Sequence, residues 1–295
     1  MTGDAARRIV WIWVLVALCC VNCDRDGCCD SGDNNPPVGG LRVDFGAKWC
    51  PADTGRIGYT HNAKTWDELL EFGQRSVWIA DLTTGETMHV TAGTLLDWMP
   101  DGNRILVGRD GEPAILKDLL TGAEDTLLIY SGPVDLSPTG GEAAYIQWEQ
   151  PTGLYIMDLA TRETRWIASE FYCDWSPDGE MILCEHLTII GRDGTVLQRI
   201  SLGPGPRISS HARWSPDGTR IAFGGYCNED SQDPAVWVLN TDGTGLHMIV
   251  CPGALPSWSP SARYVAYSAT SSEASVSAIW VCDADGDARR QVTFP

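Results

Sequence analysis

At six positions along this chain a polar side chain stands one residue before a recurring aromatic position and directly after an apolar residue. They are Lys48, Asp97, Asp135, Asp174, Arg213 and Ser257. The residues just before them, Ala47, Leu96, Val134, Cys173, Ala212 and Pro256, are all apolar. This alternation assigns one side of a strand to packing and the other to a water-accessible surface. Three carboxylates and two bases converging there could bind a cationic ligand or hold a divalent cation, since convergent charge in a concave site is a usual mark of binding. No other cofactor is expected. The competing expectation is internal neutralisation, Lys48 with Asp97 and Arg213 with Asp174. Asp135 would then be left over without an adjacent base, and would matter most for a cationic ligand. His211, two residues before Arg213, adds an imidazole to the set.

Other chemistry is not supported by pattern. No Gly-x-Ser-x-Gly elbow occurs. Asp283-Ala284-Asp285-Gly286-Asp287 carries its Gly too early for an EF-hand loop and reads as a turn. His61, His89, His186, His211 and His247 form no metal-spaced pair. Cys50, Cys173, Cys184, Cys227, Cys251 and Cys282 contain no Cys-x-x-Cys spacing. One cysteine pair can be argued from register. If Trp175 opposes Ile182 across a hairpin, Cys173 falls opposite Cys184, within disulfide reach. Two buried thiols acting as small apolar side chains are the alternative.

The elements that must position these residues are written in a repeated phrase. It reads Trp98-Met99-Pro100-Asp101-Gly102, Leu136-Ser137-Pro138-Thr139-Gly140, Trp175-Ser176-Pro177-Asp178-Gly179, Trp214-Ser215-Pro216-Asp217-Gly218 and Trp258-Ser259-Pro260-Ser261-Ala262, with a worn copy at Trp49-Cys50-Pro51. The prolines are 49, 38, 39, 39 and 44 residues apart. A period near 40 with strand-like runs marks a radial β array, whose units must pack on their neighbours. Each unit reads as four strands. In the fifth they are 211–214, 220–223, 235–240 and 246–250, separated by Pro-Asp-Gly, a longer loop and Asp242-Gly243. The expectation is all-β: a six-bladed β-propeller of four-stranded blades over residues 41–295. Trp49, Trp98, Trp175, Trp214 and Trp258 should take equivalent inner positions, with Leu136 in the remaining blade. The six polar residues should ring the central channel.

Trp-Ser-Pro-Asp-Gly, then Arg220-Ile221-Ala222-Phe223, then Val236-Trp237-Val238 ending in Asp242-Gly243, resembles the TolB-like propeller repeat. The resemblance covers residues 49–295 and implies the fold, not an activity. TolB itself carries a separate domain before its propeller, and residues 24–48 are too few for one. The third repeat lacks the Trp and Asp of the phrase and the sixth lacks its Asp-Gly, departures that weaken those turns locally.

In such a blade the first-to-second and third-to-fourth turns share one face, and here they are short and uniform. The other face varies. It receives insertions at 63–73, 227–234 and 268–277, and the Gly- and Pro-rich links 202–210 and 251–256. Binding residues concentrate on loops held by a rigid scaffold, so function is expected on the variable face. The insertion at 63–73 has capping-box spacing at Thr65 and Glu68 and should form a short helix.

Arg7 and Arg8 precede an apolar run from Ile9 to Val21, the form of a signal peptide over residues 1–23. Cys19, Cys20 and Cys23 are lipidation candidates. Residues 24–40 read as a flexible tether. The chain has 39 acidic and 21 basic residues, a net charge of −18, which disfavours nucleic acid and anionic lipid as partners. The expected protein is an exported, non-enzymatic monomer in the periplasm or cell envelope. It would touch the membrane only through an N-terminal lipid, and would bind a protein or envelope component, cationic by charge balance. The alternative is a propeller lyase or hydrolase acting on a saccharide with the channel carboxylates and His211.

Overall fold

The computed structural model describes residues 41–64, 75–130, 132–203, 205–228, 233–270 and 277–294. The expected leader (1–23), with Cys19, Cys20 and Cys23, and the tether (24–40) lie outside them. Of the 63–73 insertion, Ala63 and Lys64 extend a strand, and the rest lies outside the described residues.

Each repeat folds as four antiparallel strands in chain order. The first gives β1 (Leu41–Trp49), β2 (Arg56–Lys64), β3 (Arg75–Asp81) and β4 (Thr87–Ala92). The second gives β5 (Thr94–Trp98), β6 (Arg104–Arg109), β7 (Glu112–Asp118) and β8 (Glu124–Thr126). The third gives β9 (Val134–Leu136), β10 (Glu142–Gln147), β11 (Gly153–Asp158) and β12 (Thr164–Ala168). The fourth gives β13 (Cys173–Trp175), β14 (Met181–Cys184), β15 (Thr188–Gly191) and β16 (Val196–Arg199). The fifth gives β17 (Ile208–Trp214), β18 (Arg220–Tyr226), β19 (Pro234–Asn240) and β20 (His247–Val250). The sixth gives β21 (Ala254–Trp258), β22 (Tyr264–Thr270), β23 (Ser277–Asp283) and β24 (Arg290–Gln291). The result is an all-β propeller fold with four-stranded blades.

The aromatic of the repeated phrase ends the first strand of every repeat except the third, where Leu136 takes its place. All six of these residues are buried. Each packs between its own repeat and a neighbouring one. Trp175, for example, joins Ile182 and Ile190 of its own sheet to Ala144, Ile146 and Ile156 of the preceding one. Full burial of such side chains stabilises by about 1.5–3 kcal/mol each, which is how units too thin to stand alone hold one another.

The serine of the phrase has a local task. Ser137, Ser176, Ser215 and Ser259 accept through Oγ the backbone N–H of Glu142, Met181, Arg220 and Tyr264 at 2.9–3.0 Å. The turn then closes with a left-handed residue, Gly140, Gly179 or Gly218. In the sixth repeat the same place holds Ala262, at φ 56°. The weakening expected of that turn thus has a location, a Cβ in a region that favours glycine.

The repeats meet differently at the two ends of the sequence. The second to fifth repeats stand as separate four-stranded sheets, while β21–β24 and β1–β4 form one eight-stranded sheet. Among the described residues the junction is a single parallel bridge, Val43 to Ser277. Ser277 Oγ also donates to the carbonyl of Asp44 at 3.1 Å. A bulge at Gly46, φ 63°, swings the start of β1 toward β23. Below it Trp49, Ile57 and Tyr59 pack on Ala266, Ile279 and Val281. Among the described residues no strand is exchanged between the two repeats.

A candidate functional site at the channel and the variable face

The six polar residues sit one place before the end of the first strand of their repeats, and the expectation of a water-accessible surface is corrected at Asp135 and Asp174, which are buried because side chains of several repeats crowd together there. Lys48 Nζ lies 3.1 Å from Asp97 Oδ1 and 3.7 Å from Asp135 Oδ1. Arg213 Nη1 lies 2.7 Å from Asp174 Oδ1 and 3.1 Å from Asp135 Oδ1. Lys48 and Arg213 each reach Asp135 past an intervening repeat, so these five side chains converge. Both expected pairs, Lys48 with Asp97 and Arg213 with Asp174, are present. The expectation for Asp135 is corrected: it is not left without a base but is shared by two. Sequence spacing compares neighbouring repeats only, and the partners of Asp135 stand two repeats away on either side.

The remaining carboxylate oxygens explain why the position is acidic. Asp97 Oδ2 accepts the N–H of Leu136 at 2.7 Å, Asp135 Oδ2 that of Trp175 at 2.8 Å, and Asp174 Oδ2 that of Trp214 at 2.6 Å. Ser257 Oγ takes the N–H of Trp49 at 3.1 Å and closes the same pattern across the seam. Each acceptor therefore ties its own repeat to the innermost strand of the next. Indole N–H groups tie the repeats in the reverse direction: Trp98, Trp175 and Trp258 donate to the carbonyls of Lys48, Asp135 and Arg213. Trp214 breaks this series, its buried Nε1 having no partner among the described residues.

Charge in the cluster is not balanced, with three acids facing two bases. Burial pushes the Asp135 carboxyl well up, and Asp174 and Asp97 push it further than Lys48 and Arg213 draw it back. Burial also raises Asp174, against the pull of Arg213. Burial would lower the Arg213 guanidinium, but Asp174 and Asp135 more than offset this and fix it as a cation. A proton on the cluster, or a cationic ligand beside it, would complete the balance. A ligand competing for the carboxylates would have to displace bonds already made.

His211 lies in β17, where the pairing with β18 passes from Ser210–Gly224 to Ala212–Phe223 and leaves His211 as the extra residue of a bulge. Its side chain is outside the described residues. Beside this stretch a small cavity of about 50 Å³ opens on the variable face, lined in part by Cys173, Cys184, His186, Ile208 and Ala212. Tyr172, His186 and Leu187 around it take left-handed φ of 52°, 57° and 57°.

Cys173 and Cys184 are direct partners in the β13–β14 register, as the hairpin argument requires. They are nonetheless free thiols. The Cys173 thiol turns to the neighbouring sheet and donates to Ala144 O at 3.4 Å. Burial holds both thiols up, Cys184 to about 12. The disulfide joins Cys227 and Cys251 instead, with Cα atoms 5.9 Å apart. It fastens the loop after β18 to the link after β20, two segments of the variable face. Register could not reveal this pair because neither cysteine lies in a strand.

The chain matches no protein-family model and no curated protein. Solved structures are similar. TolB from Acinetobacter baumannii superposes with a TM-score of 0.64 at 19% identity, over 84% of this chain and 62% of that one. A putative TolB from Agrobacterium tumefaciens gives 0.62 at 20% identity, over 74% and 88%. An oligogalacturonate lyase from Vibrio parahaemolyticus gives 0.56 at 14%, over 84% and 92%. The chain thus spans less than two thirds of the Acinetobacter protein, and at these identities what it shares with all three is the TolB-like propeller fold.

Proposed function

We propose that this chain is an exported six-bladed propeller, the eight-stranded sheet being two blades joined at the seam, which binds a protein or cell-envelope component and is not an enzyme. The observation that carries this reading is the saturation of the channel cluster. Its carboxylate oxygens accept from Lys48, Arg213 and three backbone N–H groups. Groups so engaged hold blades together, which leaves recognition to the variable face. The Cys227–Cys251 bond suits an oxidising compartment such as the periplasm. Lipid attachment at Cys19, Cys20 or Cys23 would hold the domain at the envelope, and a cationic partner suits the net charge.

The test is expression of the full chain in a Gram-negative host, with fractionation, thiol mapping and cross-linking. Recovery from the envelope fraction with Cys227–Cys251 bonded, cross-linked to a protein through variable-face positions, is the expected result. A cytoplasmic, fully reduced chain would overturn export. The saccharide reading, with the channel carboxylates and His211 as its site, draws on the oligogalacturonate lyase of the same fold. Turnover of oligogalacturonate by the purified chain, lost on substitution of His211, would establish it instead.

A further inference from the structure

The outer strand of the second repeat ends in a bulge that turns an apolar side chain outward. Ala114 bonds both sides of it, accepting from Leu127 N–H and donating to Ile129 O, each at 2.7–2.8 Å. Leu127 and Ile129 are fully buried, while Leu128 between them is 64% exposed and Tyr130 is 55% exposed. Bulges re-aim side chains and recur beside functional sites. Facing these two, Trp148 projects from the loop after β10. Its indole stacks on Phe171, centroids 5.4 Å apart and planes 18° from parallel. That loop is pinned by Thr152 Oγ1 donating to Trp148 O at 3.3 Å and Tyr155 OH donating to Pro151 O at 2.8 Å. Between the two segments lies a cavity of about 340 Å³, within the range of ligand sites. Among the described residues that line it, Glu149 is the charged one.

The geometry points to a recognition groove at Leu128, Tyr130 and Trp148 for a segment of a partner protein that carries Lys or Arg beside large apolar side chains. This deepens the proposed protein-binding function and rests on it. The apolar walls match the partner's apolar residues, and aromatic faces attract cations. The charge is complementary, a carboxylate in the groove of a chain of net charge −18. The same charge argues against an anionic saccharide. The walls are held in place before binding, which lowers the entropy lost on association.

The test is calorimetry of the full chain with synthetic twelve-residue peptides of three designs, Lys with Leu and Tyr, Glu with Leu and Tyr, and Lys with Ser. A neutral hexasaccharide and an oligogalacturonate complete the set. Only the Lys–Leu–Tyr design should bind. Leu128→Ser and Trp148→Ala should each weaken it about tenfold or more, and Glu149→Gln should weaken it several-fold and flatten its salt dependence. Leu128 is exposed, so that variant tests the groove without disturbing the core. Equal binding of the Glu design, no binding of any peptide, or binding that Leu128→Ser and Trp148→Ala both leave unchanged would overturn the groove. Unchanged binding in these variants, lost on Cys227→Ser, would reject the groove while leaving protein binding intact. Binding of a saccharide alone would reject both.

Discussion

Arg213 and Asp135, separated by 78 residues in sequence, meet at 3.1 Å within the propeller. The same guanidinium nitrogen also holds Asp174 at 2.7 Å. One cation therefore serves two buried acids from two repeats. Removing it should do more harm than removing one acid. Arg213→Met should destabilise by about 3–5 kcal/mol, the loss typical when a buried charge is stranded. Asp135→Asn leaves two acids facing two bases and should cost well under that. Urea denaturation of both variants checks the order, and equal losses would refute it.

Ala262 should be improvable. It stands at φ 56° where four other repeats have Gly at 66–74°. A non-glycine residue there carries strain of about 1–2 kcal/mol, part of which is regained as the lower chain entropy of alanine. Ala262→Gly should stabilise by about 0.5 kcal/mol, seen as a small rise in Tm. A clear fall would show that the turn is not strained.

Acid and alkali should act on different parts. The turn acids Asp81, Asp118 and Asp158 are held below the usual carboxylate range, chiefly by Thr83, Thr121 and Thr161 respectively. Below about pH 4 the unfolded chain binds more protons at these groups than the folded one, so their stabilisation is lost as pH falls. Asp135 and Asp174 are raised, so above about pH 4 the folded chain binds the extra proton and their contribution declines as pH rises. Urea midpoints against pH should show a maximum on the acid side of neutrality. Asp135→Asn should flatten the decline toward higher pH without altering the acid limb.

Thiol chemistry should separate the cysteines. Cys50, Cys173, Cys184 and Cys282 are buried and pushed up by burial, Cys184 and Cys282 to about 12, so little reactive thiolate forms near neutrality. Mass mapping should find Cys227–Cys251 linked and these four unmodified by an alkylating agent until denaturant is added. A Cys173–Cys184 crosslink in the native protein would contradict this arrangement.

The sequence made legible whatever depends on local period. The aromatic that ends the first strand, the Ser-anchored turn and the equivalent strand position of Lys48, Asp97, Asp135, Asp174, Arg213 and Ser257 all follow from residue type and spacing. The hairpin register of Cys173 and Cys184 follows from the same period. Partnerships beyond neighbouring repeats, or between irregular loops, were not legible. Asp135 gains its two bases only when repeats two apart converge. Cys227 and Cys251 meet through irregular loops that have no register to count. The exposure of Leu128 depends on a bulge, which the run Leu127-Leu128-Ile129 does not announce.

The seam has a mechanical consequence. Between the first and last repeats one parallel bridge, Val43 to Ser277, and the packing of Trp49, Ile57 and Tyr59 replace an exchanged strand. A pull on the chain ahead of Leu41 is delivered straight to β1, which borders that junction. The load then falls on that bridge, on side-chain packing and on the end of the β2 ladder, where Leu41 faces Lys64. Under tension β1 should therefore part from the last repeat and peel from β2 first, while the sheets of the second to fifth repeats stay whole.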